Sequence, residues 1–508
     1  MANYKPYDYS QTVLLPVSLE EQLVPGTLEF AIHALVETRM DMSLFDEKYK
    51  NDETGRAAYD PKVLLKVVLF AYSRGIVSSR KIERACQENV TFMALACGAR
   101  PDHSTIAAFV ASMKNEISPL FRDVLLVCEQ EGLLGGTVFA LDGCKLPSNA
   151  SKEWSGTIAD LKKRKKRIEK KVKELLAEQR KTDKREAGGS GKGGMGDGGN
   201  RERQVERLKK KAARLEAWLK QNEAKIGEGG KETQSNVTDN ESAKMWTMRG
   251  TTQGYNGQAV ADEKHQIIVH GEAFGKGQDS RHLGPMVDGA KQNMKRIGYG
   301  EDYFRGKRWL ADADYHSTTN LVTCVEEGLD AYIPDKMYRR RDPRLSPKRL
   351  PLQRENKYCL EDFRYNQATD QYACPEGKIL KLNTKRMKNK GTVYRRYFAD
   401  PEDCQACVSK LRCLTGQGGR RKNLCVPIGP DGVNLSKQMA AKIDTGQGRS
   451  LYAERMKIVE PIFGNIRIQK GLDRFTLRGK VKVNIQWLLY CMVHNIEKII
   501  KYGPAYAQ

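Results

Sequence analysis

The chain has 508 residues, with 87 Lys and Arg against 63 Asp and Glu and a formal net charge of +24. That length supports two or three domains with their own cores, and that charge predicts a polyanionic partner, nucleic acid first, met through salt-screened phosphate contacts. No run of about 18 or more apolar residues argues for a membrane span. Met1 to Pro16 lacks the basic-then-apolar pattern of a secretory signal, so the expectation is a cytoplasmic protein, nucleoid-associated when on DNA.

Residues 1–130 read as an all-helical domain, with apolar positions at helical spacing in Pro61-Lys-Val-Leu-Leu-Lys-Val-Val-Leu-Phe-Ala-Tyr and in Ser118-Pro-Leu-Phe-Arg-Asp-Val-Leu-Leu-Val. Between them, Ser78-Ser-Arg-Lys-Ile-Glu-Arg-Ala-Cys and Pro101-Asp-His-Ser-Thr-Ile-Ala-Ala-Phe-Val each open with capping residues. The pair is helix-turn-helix-like. Asp102, His103 and Ser104 would stand at the N-terminal end of a reading helix, although Ile106, Ala107 and Phe109 look like core.

A buried central strand is predicted over Thr137-Val-Phe-Ala-Leu-Asp142, and Asp142-Gly reads as its closing turn. A basic helical hairpin then interrupts the core, inserted over 156–235. Between Leu161 and Arg185 thirteen basic residues oppose four acidic ones, and Val205, Leu208, Ala212, Leu215 and Leu219 mark the seam of a second helix over 201–227. Such a run is usually a solvated face; the imbalance favours contact with a DNA backbone, with dimer pairing as the second choice. Gly188 to Asn200 joins the helices as a glycine-rich linker, since the tract lacks the spacing of a phosphate loop.

The core resumes with strands over Gly254-Tyr-Asn-Gly-Gln-Ala-Val-Ala-Asp and Gln266-Ile-Ile-Val-His, a helix over 282–297, the strand Arg308-Trp-Leu-Ala-Asp312, a helix over 318–327 and a strand from Asp330. In that order the first and fourth strands are central neighbours, which brings Asp142 and Asp312 together across 170 positions. Carboxylates so placed need cations to remain ionised, and hard oxygen ligands suit Mg²⁺. Asp314 competes with Asp312 for the ligand role. His316 reads as an ordinary polar residue at a helix start.

Most of the twelve cysteines sit in apolar surroundings, but Cys374, Cys404, Cys407 and Cys413 fall within forty residues. The central pair has the Cys-x-x-Cys spacing of a tetrahedral zinc ligand pair. Structural Zn²⁺ and a set of free thiols are the two readings of a cysteine-rich insertion over 336–445. The segment 446–508 returns to the core and delivers Glu460, which Pro461 follows, predicting a kink or restart of its helix.

The residues Leu141-Asp-Gly-Cys-Lys-Leu-Pro-Ser-Asn-Ala-Ser, Thr238-Asp-Asn-Glu-Ser, Gly254-Tyr-Asn-Gly-Gln-Ala-Val, Ala311-Asp-Ala-Asp-Tyr-His-Ser and the series Tyr452, Arg455, Glu460, Arg467 resemble those of bacterial insertion-sequence transposases of the DDE type. The likeness runs from about Tyr59 to Ile499. Asp314 stands where the family usually has a small residue, Arg455 and Glu460 lie one residue further apart than is common, and Arg467 replaces a usual Lys.

The resemblance implies an α/β RNase H-like core with a mixed five-stranded sheet, over 131–335 and 446–508, beside the all-α N-terminal DNA-binding domain. It also implies Asp142, Asp312 and Glu460 as catalytic acids holding two Mg²⁺ (or Mn²⁺) ions. On one continuous helix Arg467 shares the face of Glu460, so Arg467 and Lys470 would lie next to the scissile phosphate, with Arg455 and Tyr452 on neighbouring DNA phosphates. The implied activity is metal-dependent cleavage and strand transfer in DNA transposition and recombination. The implied partners are double-stranded DNA (terminal inverted repeats and target) and a second copy in a homodimer. An RNase H-like nuclease without strand transfer and an inactive architectural protein are the alternatives.

Overall fold

The computed structural model describes residues 18–48, 57–187, 198–227, 230–247, 250–345, 358–389, 392–414, 419–428 and 434–504. Ten of the positions in the expected glycine linker, 188–197, lie outside these. The chain divides into two compact units. One comprises residues 1–134, 465–471 and 488–508, the other 135–464 and 472–487. The C-terminal segment, predicted to belong wholly to the core, is therefore shared. Among the described residues no helix is long and apolar enough to cross a membrane.

The first unit begins with α1 (Leu28–Thr38), α2 (Pro61–Ser73), α3 (Ser79–Glu88), α4 (Val90–Leu95), α5 (His103–Ser112) and α6 (Ile117–Gln130). Pro61 opens α2, where its missing N–H costs nothing, and the Asp60 carboxylate accepts from Lys62 N–H. Leu64, Leu65, Val67, Val68, Leu69 and Phe70 of α2 are all buried. The predicted pair, α3 and α5, pack on each other, but α4 separates them in sequence. Asp102 caps α5 through the N–H groups of Ser104 and Thr105, and His103 meets Glu83 at 2.9 Å. The end expected to read DNA thus spends two of its polar groups on its own helices.

The second unit is built on a sheet of β1 (Val138–Pro147), β4 (Ala243–Thr247), β5 (Gly250–Asp262), β6 (Ile268–Phe274), β7 (Arg308–Ala311) and β8 (Asp330–Tyr332), numbered after the short β2 (Ser155–Gly156) and β3 (Ser235–Asn236) pair. The order is β4-β5-β1-β7-β8 with β6 also on β5. β5 runs antiparallel to its neighbours, while β1, β7 and β8 are mutually parallel. Five strands were expected and six are found, because β5 extends beyond β6 and pairs its first residues with β4. Nor does β1 end at Asp142. It continues to Pro147 against β5, so Asp142-Gly143 is strand rather than turn.

The predicted hairpin is α7 (Ile158–Ala187) and α8 (Gly198–Gln221). Leu161 packs with Leu215, and Val172 and Leu175 with Val205, so the helices run antiparallel with the apolar seam inside. Next come α9 (Leu283–Arg296), α10 (Thr318–Glu326) and the one-turn α11 (Tyr338–Arg341). The cysteine-rich segment holds a five-stranded antiparallel sheet of β9 (Arg364–Asn366), β10 (Gln371–Ala373), β11 (Ile379–Asn389), β12 (Thr392–Ala399) and β13 (Asn423–Ile428). Short helices α12 (Pro401–Gln405) and α13 (Lys410–Cys413) lie between its last two strands. Phe363, Tyr372, Leu380, Tyr397, Leu424 and Val426 form its core.

The chain closes with α14 (Leu435–Asp444), α15 (Gly446–Gly464) and α16 (Lys480–Tyr502). Pro461 does not break α15, contrary to expectation. The helix runs through it and changes to a π-helical turn only at Asn465–Gln469.

Candidate active site

Phe139, Ala140 and Leu141 are fully buried in the middle of the sheet, and β1 pairs with β7 as far as Leu141 opposite Ala311. Asp142 and Asp312 are the next residues on the two strands. Beyond them β1 stays with β5, while the chain after β7 turns into a short 3-10 helix over Ala313–Tyr315. The two acids therefore stand where parallel neighbours part, Asp312 just past the end of β7 and Asp142 within β1, which runs on with β5; such parting points are where open α/β sheets form their binding crevices.

Both carboxyls feel that confinement. Burial pushes Asp142 up from the ordinary range, while Arg455 opposes it, as does the Gly143 N–H, which donates at 2.8 Å. Asp312 is pushed up to about 6, by burial first and by the Asp142 charge second. Burial also raises Asp142, where the Asp279 charge adds to it, so two raised acids side by side are a site short of positive charge. Asp312 also caps the 3-10 turn, accepting from the Asp314 N–H at 2.9 Å, whereas the Asp314 side chain is exposed.

The cation that arrives is Arg455 of α15, whose Nη1 lies 2.8 Å from Asp142 Oδ2. Its guanidinium carbon stands 5.9 Å from the centre of the Tyr452 ring, which meets Tyr338 edge-on. Burial raises the half-buried Tyr452 hydroxyl. Glu460, five residues on, is exposed. Five residues amount to about 140° around a regular helix, so the face of α15 that carries Arg455 to Asp142 does not carry Glu460 there. Among the described residues no group of three His, Cys, Asp or Glu side chains is gathered closely enough to hold a metal ion as it stands. The hard oxygens of Asp142 and Asp312 suit a divalent cation such as Mg²⁺.

The remaining predicted phosphate ligands lie in the other compact unit. Arg467 is exposed. Lys470 is corrected: its side chain is 1% exposed and is paired with Glu497 at 2.5 Å, so its charge is already neutralised inside the fold. His316 bonds the Ile333 carbonyl and Ser436 Oγ, a structural arrangement.

Sequence reasoning missed the polar layer behind the aspartates. Asp279 accepts from Asn256 Nδ2 at 2.6 Å and Gln258 Nε2 at 2.8 Å, and lies 3.2 Å from Lys145 Nζ. The fully buried Tyr315 donates its hydroxyl to Gln258 Oε1. Asn256 and Gln258 stand in the quoted Gly254-Tyr-Asn-Gly-Gln run, so they were visible without a role. Asp279 had no signal, since a lone acid after a glycine-containing loop looks like any surface residue.

Two family models match the chain. A transposase DDE domain covers residues 373–500, and a second transposase domain, DUF772, covers residues 17–112. Both matched families are transposase domains, and they indicate a transposase of the DDE insertion-sequence type. The first match takes in Glu460 and the four clustered cysteines, while Asp142 and Asp312 precede it. The second lies on α1 to α5. No curated protein matches the chain.

Proposed function

We propose that the chain is an active DNA transposase that binds the ends of its element, cuts them and joins them to target DNA. The observation that carries this reading is the placement of Asp142 and Asp312 as neighbours where β1 and β7 part, with the Asp312 carboxyl pushed up to about 6. The sheet order supports an RNase H-like core: three antiparallel strands, β6, β5 and β1, continued by the parallel β7 and β8.

In this reading Asp142 and Asp312 hold a divalent cation, Mg²⁺ or Mn²⁺, and the resemblance calls for two such ions. When bound, the ions supply Lewis acidity toward the phosphodiester and its leaving oxygen. Glu460 is the third acid by resemblance alone. Arg455 offsets part of the burial penalty on the Asp142 charge, and its planar fork would suit a neighbouring phosphate. Tyr452 orients the guanidinium, and the exposed Arg467 adds a phosphate contact. The net charge of +24 supplies sequence-independent affinity for DNA, and a dimer on paired ends is part of the proposal.

The test is a cleavage and joining assay with Mg²⁺ on DNA carrying the element's ends, comparing the wild type with Asp142→Ala, Asp312→Ala, Asp314→Ala and Glu460→Ala. Joined product lost in the Asp142 and Asp312 variants, with binding intact and Asp314→Ala active, supports the proposal. Cutting without joining would make the chain a nuclease. Binding with no cutting by the wild type would make it architectural.

A further inference from the structure

The second concentration of chemistry lies away from the aspartates, in the small β-sheet unit that the transposase reading leaves without a task. Cys374 sits in the turn after β10, Cys404 in α12, Cys407 just beyond it and Cys413 at the end of α13. All four line one small cavity of about 30 Å³, the space of about one water molecule or ion. None of the twelve cysteines forms a disulfide, and the exposed Cys359 and Cys425 do not line this cavity.

We propose that Cys374, Cys404, Cys407 and Cys413 bind one structural Zn²⁺ that fastens the β10 turn to α12 and α13.

Three observations carry the site. Backbone N–H groups already point at two of the sulfurs: Lys378 N donates to Cys374 Sγ at 3.3 Å, and Lys422 N to Cys404 Sγ at 3.3 Å. Such donors orient thiolate ligands and offset their charge from outside the ligand shell. Next, the two cysteine-bearing segments are held face to face by contacts that need no metal. Lys378 pairs with Asp403 at 2.8 Å, and Ser409 Oγ and Tyr358 OH both donate to Glu376, at 2.6 and 3.1 Å. Finally, Lys378, Lys410 and Lys422 ring the cavity. Four thiolates around Zn²⁺ carry a net charge of −2, which such lysines offset.

Among the described residues no group of cysteines is gathered closely enough to hold an ion as it stands, so binding must draw the four sulfurs inward. Each thiol gives its proton to solvent as its sulfur bonds the metal, so affinity rises with pH.

The experiment is metal analysis of the full-length protein purified with reductant and no added metal. The expected result is about one zinc per chain, retained in Cys425→Ser and Cys359→Ser and lost in the Cys404→Ser/Cys407→Ser double variant. Because removing two ligands at once can unfold the small sheet, wild-type protein stripped by chelator is also titrated with Co²⁺. Thiolate-to-cobalt absorption in the near ultraviolet, with the visible bands of a tetrahedral ion, supports the site. Wild-type protein that carries no zinc and develops no such absorption overturns it, as does full zinc content in a folded double variant. Neither readout requires DNA cleavage, so this proposal and the transposase reading fail separately.

Discussion

Arg455 and Asp142, 313 positions apart, meet at 2.8 Å, an ion pair that links α15 to β1 just beyond the point where β1 and β7 part. The Arg455 side chain is only 12% exposed. This largely buried cation acts on both raised carboxylates, and its removal has a directional consequence.

Arg455 lowers both Asp142 and Asp312. Arg455→Ala should therefore let both carboxyls rise further, moving the acidic limb of the joining rate to higher pH. The rate at neutral pH should fall at least about tenfold, roughly 1.4 kcal/mol. Arg455→Lys should recover the pH limb but only part of the rate, because an ammonium lacks the planar fork. A pH–rate series on the three proteins checks this; an unmoved limb in the alanine variant would refute it.

Asp312 binds its proton more tightly in the folded state, at about 6 against an ordinary 3.8. Its contribution to stability is thus fully present below about pH 3.8 and is lost as pH rises through about 6, costing up to about 3 kcal/mol above that. Asp312→Asn should raise the melting temperature of metal-free protein at pH 8, and the gain should shrink toward pH 4. Mg²⁺ should stabilise the wild type more than the variant. Melting curves across pH, with and without Mg²⁺, are the measurement.

A Cβ at Gly143 would lie 2.0 Å from Gln258 Nε2 and 2.9 Å from Asn256 Oδ1. Gly143→Ala should dislodge the amides that hold Asp279 and receive Tyr315, destabilising the protein by about 1–3 kcal/mol and reducing joining beyond what the melting shift explains. Normal activity in this variant would show that the layer behind the aspartates has no part in the chemistry.

Lys470→Met separates two roles for one residue. Loss of its pair with the part-exposed Glu497 should cost about 1–3 kcal/mol, while the salt dependence of DNA binding stays unchanged. A shallower salt slope would restore Lys470 as a phosphate ligand.

On α8, Arg203, Arg207, Lys210, Lys211 and Arg214 line an open cavity of about 420 Å³ beside Trp154, with Arg214 5.2 Å from the ring centre. If this face meets DNA, replacing Arg207, Lys211 and Arg214 by Ala should weaken binding to all sequences and reduce the salt slope by about one for each phosphate no longer neutralised. An unchanged slope would leave the hairpin with its second reading, dimer pairing, which sedimentation would test.

By itself the sequence determined what depends on short-range pattern. The apolar run before Asp142 and the seam of Val205, Leu208 and Leu215 each write their local structure in their own spacing. Tertiary structure decided what depends on distant partners. That Asp142 lies within a continuing strand follows from β5 pairing as far as Pro147. That Lys470 is spent on Glu497 follows from the burial of the bend after the π-helical turn, and that Arg455 reaches Asp142 while Glu460 stays exposed follows from which side of α15 is buried. A charged residue carries no local mark of whether its partner will be water, a phosphate or another side chain of its own fold, because that choice is made by packing across hundreds of positions.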